Sequence, residues 1–192
     1  MYVSGRRTQA ERRAATRAAL LEAARELFAV HGIAATANDD IAARAGVTRG
    51  ALYHHFESKA AVAAAVIGEL DRELVRGAIA AASRGPSALD RLRRSCRAYI
   101  DACAEPAVAR ILTEAPAVLS VDALRTMSER TCDEVLRAAL ADGMEVPGDD
   151  DVAAHLLLAL LNEAAFIVAT DPGARRRVRA TVDAFIERLF SV

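Results

Sequence analysis

Residues 36–59, TANDDIAARAGVTRGALYHHFESK, hold two short runs with helical apolar spacing, parted by Gly46. Helices of six to nine residues do not stand alone in water, because nucleation costs more than so few hydrogen bonds return. The pair must lock together and against further apolar surface, and this requirement restricts the fold more than any other feature of the chain. Ile41, Ala42, Ala45, Val47, Leu52 and Phe56 supply apolar contacts for the lock. Gly46 permits a turn that a Cβ would hinder. Thr36, with Asp39 three residues on, reads as a capping-box-like start to the first run. Thr48 reads as the cap of the second, over 49–56, and Ser58 as the cap of a longer helix behind it.

The rest of the chain is patterned as helix too. Ala, Leu, Arg and Glu dominate, β-branched runs are absent, and apolar residues recur at three- and four-residue steps. Ahead of the pair the spacing predicts a helix over 11–31, with Leu20, Ala24, Leu27 and Phe28 on one face and Gly32 as its stop. Behind it come helices over 59–83, 88–104, 106–119, 122–141, 150–170 and 172–190. SRGPS (83–87), GMEVPGDDD (143–151) and TDPG (170–173) separate some of them. The expected fold is all-α with about nine helices. Residues 1–57 form a three-helix domain whose short pair is a helix-turn-helix, preceded by a basic arm, and 58–192 form a second helical domain.

Charge is unevenly spread. The formal net charge is −1, so no global attraction to a polyanion follows. Residues 1–59, however, carry nine Arg or Lys against six Asp or Glu, and the first twenty hold five arginines and one acid, Glu11. That bias points to an anionic partner for the N-terminal part. Cys96, Cys103 and Cys132 show no ligand or CxxC spacing, which fits a reducing compartment. The start has no apolar core of a signal peptide. In the most apolar run, 152–169, His155, Asn162 and Glu163 break the pattern, which favours a buried or interfacial helix over a transmembrane one. A cytoplasmic protein is expected.

The second short helix turns Thr48, Arg49, Gly50, Tyr53 and His54 outward. Metal binding fits poorly, because His54 and His55 are adjacent and point ~100° apart on a helix. No GxSxG elbow, HExxH, P-loop or dinucleotide fingerprint occurs, and nothing orients the Tyr-His-His cluster as an acid–base site, so no enzyme and no cofactor are expected. The same face suits DNA. Arg49 is placed to reach a guanine edge, Gly50 and Ala51 allow close approach, and Tyr53 and a histidine can donate to phosphate oxygens. Lys59, the one lysine among 25 basic residues, sits in a first helical turn, where its charge opposes the macrodipole and a bound phosphate would explain it. The candidate DNA-binding set is Thr36, Asn38, Thr48, Arg49, Gly50, Ala51, Tyr53, His54, His55 and Lys59.

The segment 16–62, with AARELF, HG, DIAARAGV and TRGALYHHFESK in order, resembles the N-terminal DNA-binding domain of the TetR family of bacterial repressors. The resemblance implies that Thr48, Arg49, Gly50, Ala51, Tyr53, His54 and Lys59 lie at the DNA surface. It also implies that the helical remainder binds a small molecule and dimerises. One departure is Asp39, where relatives often carry a basic or neutral polar residue. An acid there repels phosphate, which suggests a capping role.

A ligand pocket is sought where polar groups interrupt apolar faces. Tyr99, Cys103, Ile111, Met127, His155, Asn162, Glu163 and Phe166 are the candidate ligand-binding residues, although hydrogen bonding within a core or a dimer seam suits the polar ones equally. The last two helices are too apolar for free surface helices, with Leu156, Leu157, Leu160, Leu161, Ile167 and Val168 on one and Val178, Val182, Phe185, Ile186 and Leu189 on the other. Packing on a second copy would bury both and form a homodimer. The expected protein is thus a dimeric repressor of a palindromic operator, released by a small-molecule ligand. An effector-independent activator or architectural DNA binder, or a helical small-molecule enzyme or adaptor, are the alternatives.

Overall fold

The computed structural model describes residues 8–83, 85–120, 122–124, 126 and 149–190. Among the described residues every regular element is helical: α1 (Gln9–His31), α2 (Asn38–Arg44), α3 (Arg49–His55), α4 (Lys59–Ala82), α5 (Ala88–Cys103), α6 (Pro106–Glu114), α7 (Asp150–Thr170) and α8 (Arg175–Phe190). The chain divides into two compact units, Met1–Val66 and Ile67–Val192. The division falls inside α4, nine residues after the expected boundary at 57/58.

The first unit is built on α1. Thr8 and Glu11 close a reciprocal cap at its start: the Thr8 amide donates to the Glu11 carboxylate (2.7 Å) and the Glu11 amide to the Thr8 hydroxyl (3.2 Å). Gly32, at φ +86°, ends it, and its amide donates back to the Phe28 carbonyl. Leu20, Leu21, Ala24 and Phe28 form the buried face of α1, joined in the core by Ile33, Ile41, Leu52, Phe56, Val62 and Val66. Of the residues expected to lock the short pair, Ile41, Ala42, Leu52 and Phe56 are buried, while Ala45 and Val47 are half-buried. Truncating Phe28, which is fully buried, to alanine would cost about 3–5 kcal/mol.

In the second unit α5 packs on α7 and α8, α6 packs on α7, and α7 on α8. Leu92, Cys96, Ile100 and Cys103 recur on one face of α5, and the buried residues of the helices it packs on include Leu157, Leu161, Ala164 and Val168 of α7 and Val182 and Ile186 of α8. Val152–Thr170 is long and apolar enough to cross a bilayer. It packs against three other helices of the same unit.

A reciprocal ion-pair ladder binds α5 to α8. Arg97 of α5 donates through Nε to both oxygens of Asp183 (2.9 and 2.7 Å), with Arg93 3.8 Å away. Asp101 of α5 accepts in turn from Arg179 (3.1 Å), with Arg175 at 4.0 Å. Each helix thus offers one carboxylate to two arginines a turn apart on the other, one held by charge-assisted hydrogen bonds and the second at ion-pair distance.

Two helix ends differ from expectation, both at proline. The helix expected to reach 119 stops at Glu114 and tightens into a 3-10 turn, Ala115–Ala117, around Pro116, which lacks an amide hydrogen and disrupts an α-helical interior. The helix expected from 172 starts at Arg175, because Pro172–Ala174 forms a separate 3-10 turn capped by Asp171. The helix expected over 122–141 lies for the most part outside the described residues.

Candidate nucleic-acid interface

The turn between α2 and α3 is set by Gly46 at φ +68°, the left-handed region that costs an L side chain about 1–2 kcal/mol. No atom lies within 4 Å of where a Cβ would stand, so the demand for glycine is conformational, without a steric part. Thr48 then caps α3, its hydroxyl accepting from the Ala51 amide at 3.2 Å. Leu52 is fully buried and Phe56 nearly so, with the Arg17 guanidinium 5.2 Å above the Phe56 ring. Pinned on that side, α3 exposes Thr48, Arg49, Gly50, Tyr53 and His54, while Ala51 and His55 are half-buried.

The start of α2 is organised differently from the sequence expectation. Its cap position is Ala37, and it is Asp40 that accepts from the Ala37 amide (3.3 Å). Thr36 is buried, and its hydroxyl donates to the Gly32 carbonyl at 2.7 Å. Asp39, freed from capping, accepts from Arg49 Nη1 at 2.9 Å. The Arg49 guanidinium also lies 5.5 Å from the centre of the Tyr53 ring, and the Tyr53 hydroxyl accepts from Asn38 Nδ2 at 3.3 Å. Arg44 ties α2 to Glu26 of α1 at 2.6 Å.

Lys59 has a local role that its sequence position did not disclose. Its ammonium donates to the carbonyls of Ala34 (2.9 Å) and Thr36 (3.2 Å), fastening the start of α4 to the loop ahead of α2. His55 stands edge-on to His54, with ring centres 5.6 Å apart. Partial burial, first, and then the charges of His54, Arg13 and Arg17 hold its pKa below the usual histidine value. A phosphate nearby would reverse the electrostatic part of that shift.

The residues considered for a ligand pocket differ in burial. Cys103 and Ile111 are buried in the second unit, with Tyr99 half-buried. Burial pushes the Cys103 thiol up to about 12, against the opposing effect of a hydrogen bond with Tyr99. His155, Glu163 and Phe166 are exposed on α7, and Asn162 is half-buried. Met127 lies outside the described residues. Between α7 and α8 runs an open groove of about 300 Å³, lined by Leu160, Glu163, Ile167, Arg177, Val178 and Thr181 among others. The same two helices carry exposed apolar side chains: Val152, Leu156 and Phe166 on α7, Phe185 and Leu189 on α8.

A short helix pair set by a left-handed glycine, with one helix pinned by its apolar side and its basic and aromatic side bare, defines a helix-turn-helix protein of the nucleic-acid-reading class. Comparison with known proteins gives the family. The sequence pattern of bacterial regulatory proteins of the tetR family matches residues 20–66, and that of the tetracyclin repressor-like C-terminal domain matches 89–191. The chain belongs to the TetR family of transcriptional regulators. A crystal structure of a TetR-family transcriptional regulator from Pectobacterium atrosepticum is 33% identical, with a TM-score of 0.81 over 97% of this chain and 99% of that one. The HTH-type transcriptional regulator TtgR of Pseudomonas putida is 48% identical over 65 residues, 34% of this chain and 30% of its own length. The HTH-type transcriptional repressor BepR of Brucella suis is 48% identical over 63 residues, 33% of this chain and 30% of its own length. The likeness to these curated relatives therefore spans less than a third of their length.

Proposed function

We propose that this chain is a cytoplasmic repressor that binds a palindromic DNA operator as a homodimer and leaves it when a small molecule binds the second unit. Residues 1–57 read the DNA, and 58–192 bind the effector and the second copy. The observation that carries the DNA reading is the bare face of α3, with Arg49, Gly50, Tyr53 and His54 exposed beside a left-handed turn. Arg49 reads a guanine edge, while Thr48, Tyr53 and His54 position the helix on the backbone. Asn38, Ala51, His55 and Lys59 flank this surface. Thr36 supports it from within, since its hydroxyl is spent on Gly32.

Dimerisation is supported by the exposed apolar residues of α7 and α8, a surface that single soluble chains rarely leave bare. In a two-fold dimer the recognition helices sit about 34–36 Å apart, one turn of DNA. The name of BepR as a repressor supports the sign of regulation. A ligand that favours the DNA-free state about 100-fold supplies about 2.7 kcal/mol of coupling, enough to release the operator.

Selection of bound fragments from a genomic library, with sedimentation of the protein alone, tests this function. The expected outcome is a single palindromic motif and a dimeric mass at micromolar concentration. Leu156→Glu with Phe185→Glu should give a monomer that loses the palindrome. Failure to retard any fragment, or a monomeric wild type, would overturn it.

A further inference from the structure

Four side chains close a ring across the two short helices, and the DNA reading alone does not require it. Asn38 and Asp39, the first two residues of α2, face Tyr53 and Arg49, four apart on the outward face of α3. Asp39 accepts from Arg49, Arg49 lies over Tyr53, and Tyr53 accepts from Asn38. The Asn38 side-chain carbonyl is buried with no protein partner.

Stability does not account for the ring. The Arg49 and Asp39 side chains are 65% and 58% exposed, and ion pairs at that exposure add little to stability. Helix capping does not account for Asp39 either, since Asp40 takes the amide. An acid on a surface that meets phosphates costs affinity for every sequence. What the pair does fix is the direction of the guanidinium, a long side chain that is otherwise free among many rotamers.

We propose that Asp39 is a positioning residue for sequence specificity: it holds Arg49 with its remaining donors aimed at one base pair and cancels the charge by which Arg49 would attract any DNA. Arg49 has five N–H donors and Asp39 occupies one, which leaves a fork for guanine O6 and N7. The pair thereby exchanges general affinity for discrimination.

This proposal rests on the DNA-binding function above, and the test keeps the two apart. The wild type, Asp39→Asn, Asp39→Ala, Arg49→Ala and the double Asp39→Ala/Arg49→Ala variant are each presented with a randomised duplex pool. Each is then titrated on the selected site and on an unrelated duplex. Asp39→Asn and Asp39→Ala should bind the unrelated duplex more tightly yet lose about 5-fold in preference at the base pair that Arg49→Ala also relaxes. The double variant should lose no more preference than Arg49→Ala alone. Variants at Asp39 that select the wild-type sequence as sharply as before, with only a uniform gain in affinity, would overturn the positioning role. So would additive losses in the double variant. A wild type that selects no sequence at all would instead remove the DNA-binding function on which the proposal stands.

Discussion

Replacing Gly50 by alanine adds one methyl group at the second residue of α3, and the surroundings say what it should do to the protein alone. The nearest heavy atom to the new Cβ is the Thr48 hydroxyl oxygen at 3.9 Å, an ordinary contact, and the residue is exposed. Nothing in the chain has to move. Alanine in a helix interior is favoured over glycine by about 1 kcal/mol, and near the first turn by roughly half of that. The variant should melt about 1–2 °C higher, given a shift of roughly 2–4 °C per kcal/mol for a chain of this size. DNA binding should move the other way. If α3 lies in the major groove with Gly50 against the bases, the methyl lifts the helix and weakens the Arg49 contact, whose discrimination is worth about 1–3 kcal/mol. Affinity for the selected operator should then fall roughly 5- to 150-fold. Fluorescence anisotropy on labelled operator and a circular-dichroism melt of the same preparation read the two effects separately. Full affinity in Gly50→Ala would refute the placement of this face on DNA, and a lower melting point would refute the account of its packing.

Two further outcomes follow from the same geometry. Gly46→Ala should destabilise the first unit by about 1 kcal/mol and Gly46→Asn by much less, because the open space leaves only the left-handed backbone to resist a side chain; equal urea midpoints for the two variants would contradict this. The raised thiol of Cys103 should keep it unalkylated at pH 9 in the native protein and let it react once unfolded, as peptide mapping would show. Because its pKa is raised on folding, its contribution to stability holds below the unfolded value near 8.5 and is lost as the pH rises towards about 12.

The helices and the outward face of α3 were legible because they rest on local signals. Apolar spacing, Thr48 before a short run, and Gly46 and Gly32 at helix ends act within a few residues, and the structure keeps each of them. Contacts between elements were not legible. Nothing near Lys59 in sequence reveals the carbonyls of Ala34 and Thr36, more than twenty positions earlier. Asp39 looked like a cap because caps are read locally, yet its partner lies ten residues on, across a turn. Two adjacent acids at a helix start, only one of which can take the amide, were the signal available for that pairing. The α5–α8 ladder left a fainter trace, arginines four apart at 93 and 97 and again at 175 and 179, each pair with no acid spaced to hold both.

That ladder bears on how the second unit comes apart. Its pairs join residues 86 and 78 positions apart, so they form only after a long loop has closed. Ion pairs this far apart in sequence cannot hold α8 in place unless the apolar contacts of Val182 and Ile186 have already brought it home, and those contacts leave two carboxylates and four guanidinium groups partly desolvated unless the pairs form with them. Packing and pairing therefore reinforce each other. The C-terminal helix should therefore show no fraying intermediate of its own, and its amides should exchange with solvent only in the event that opens α5.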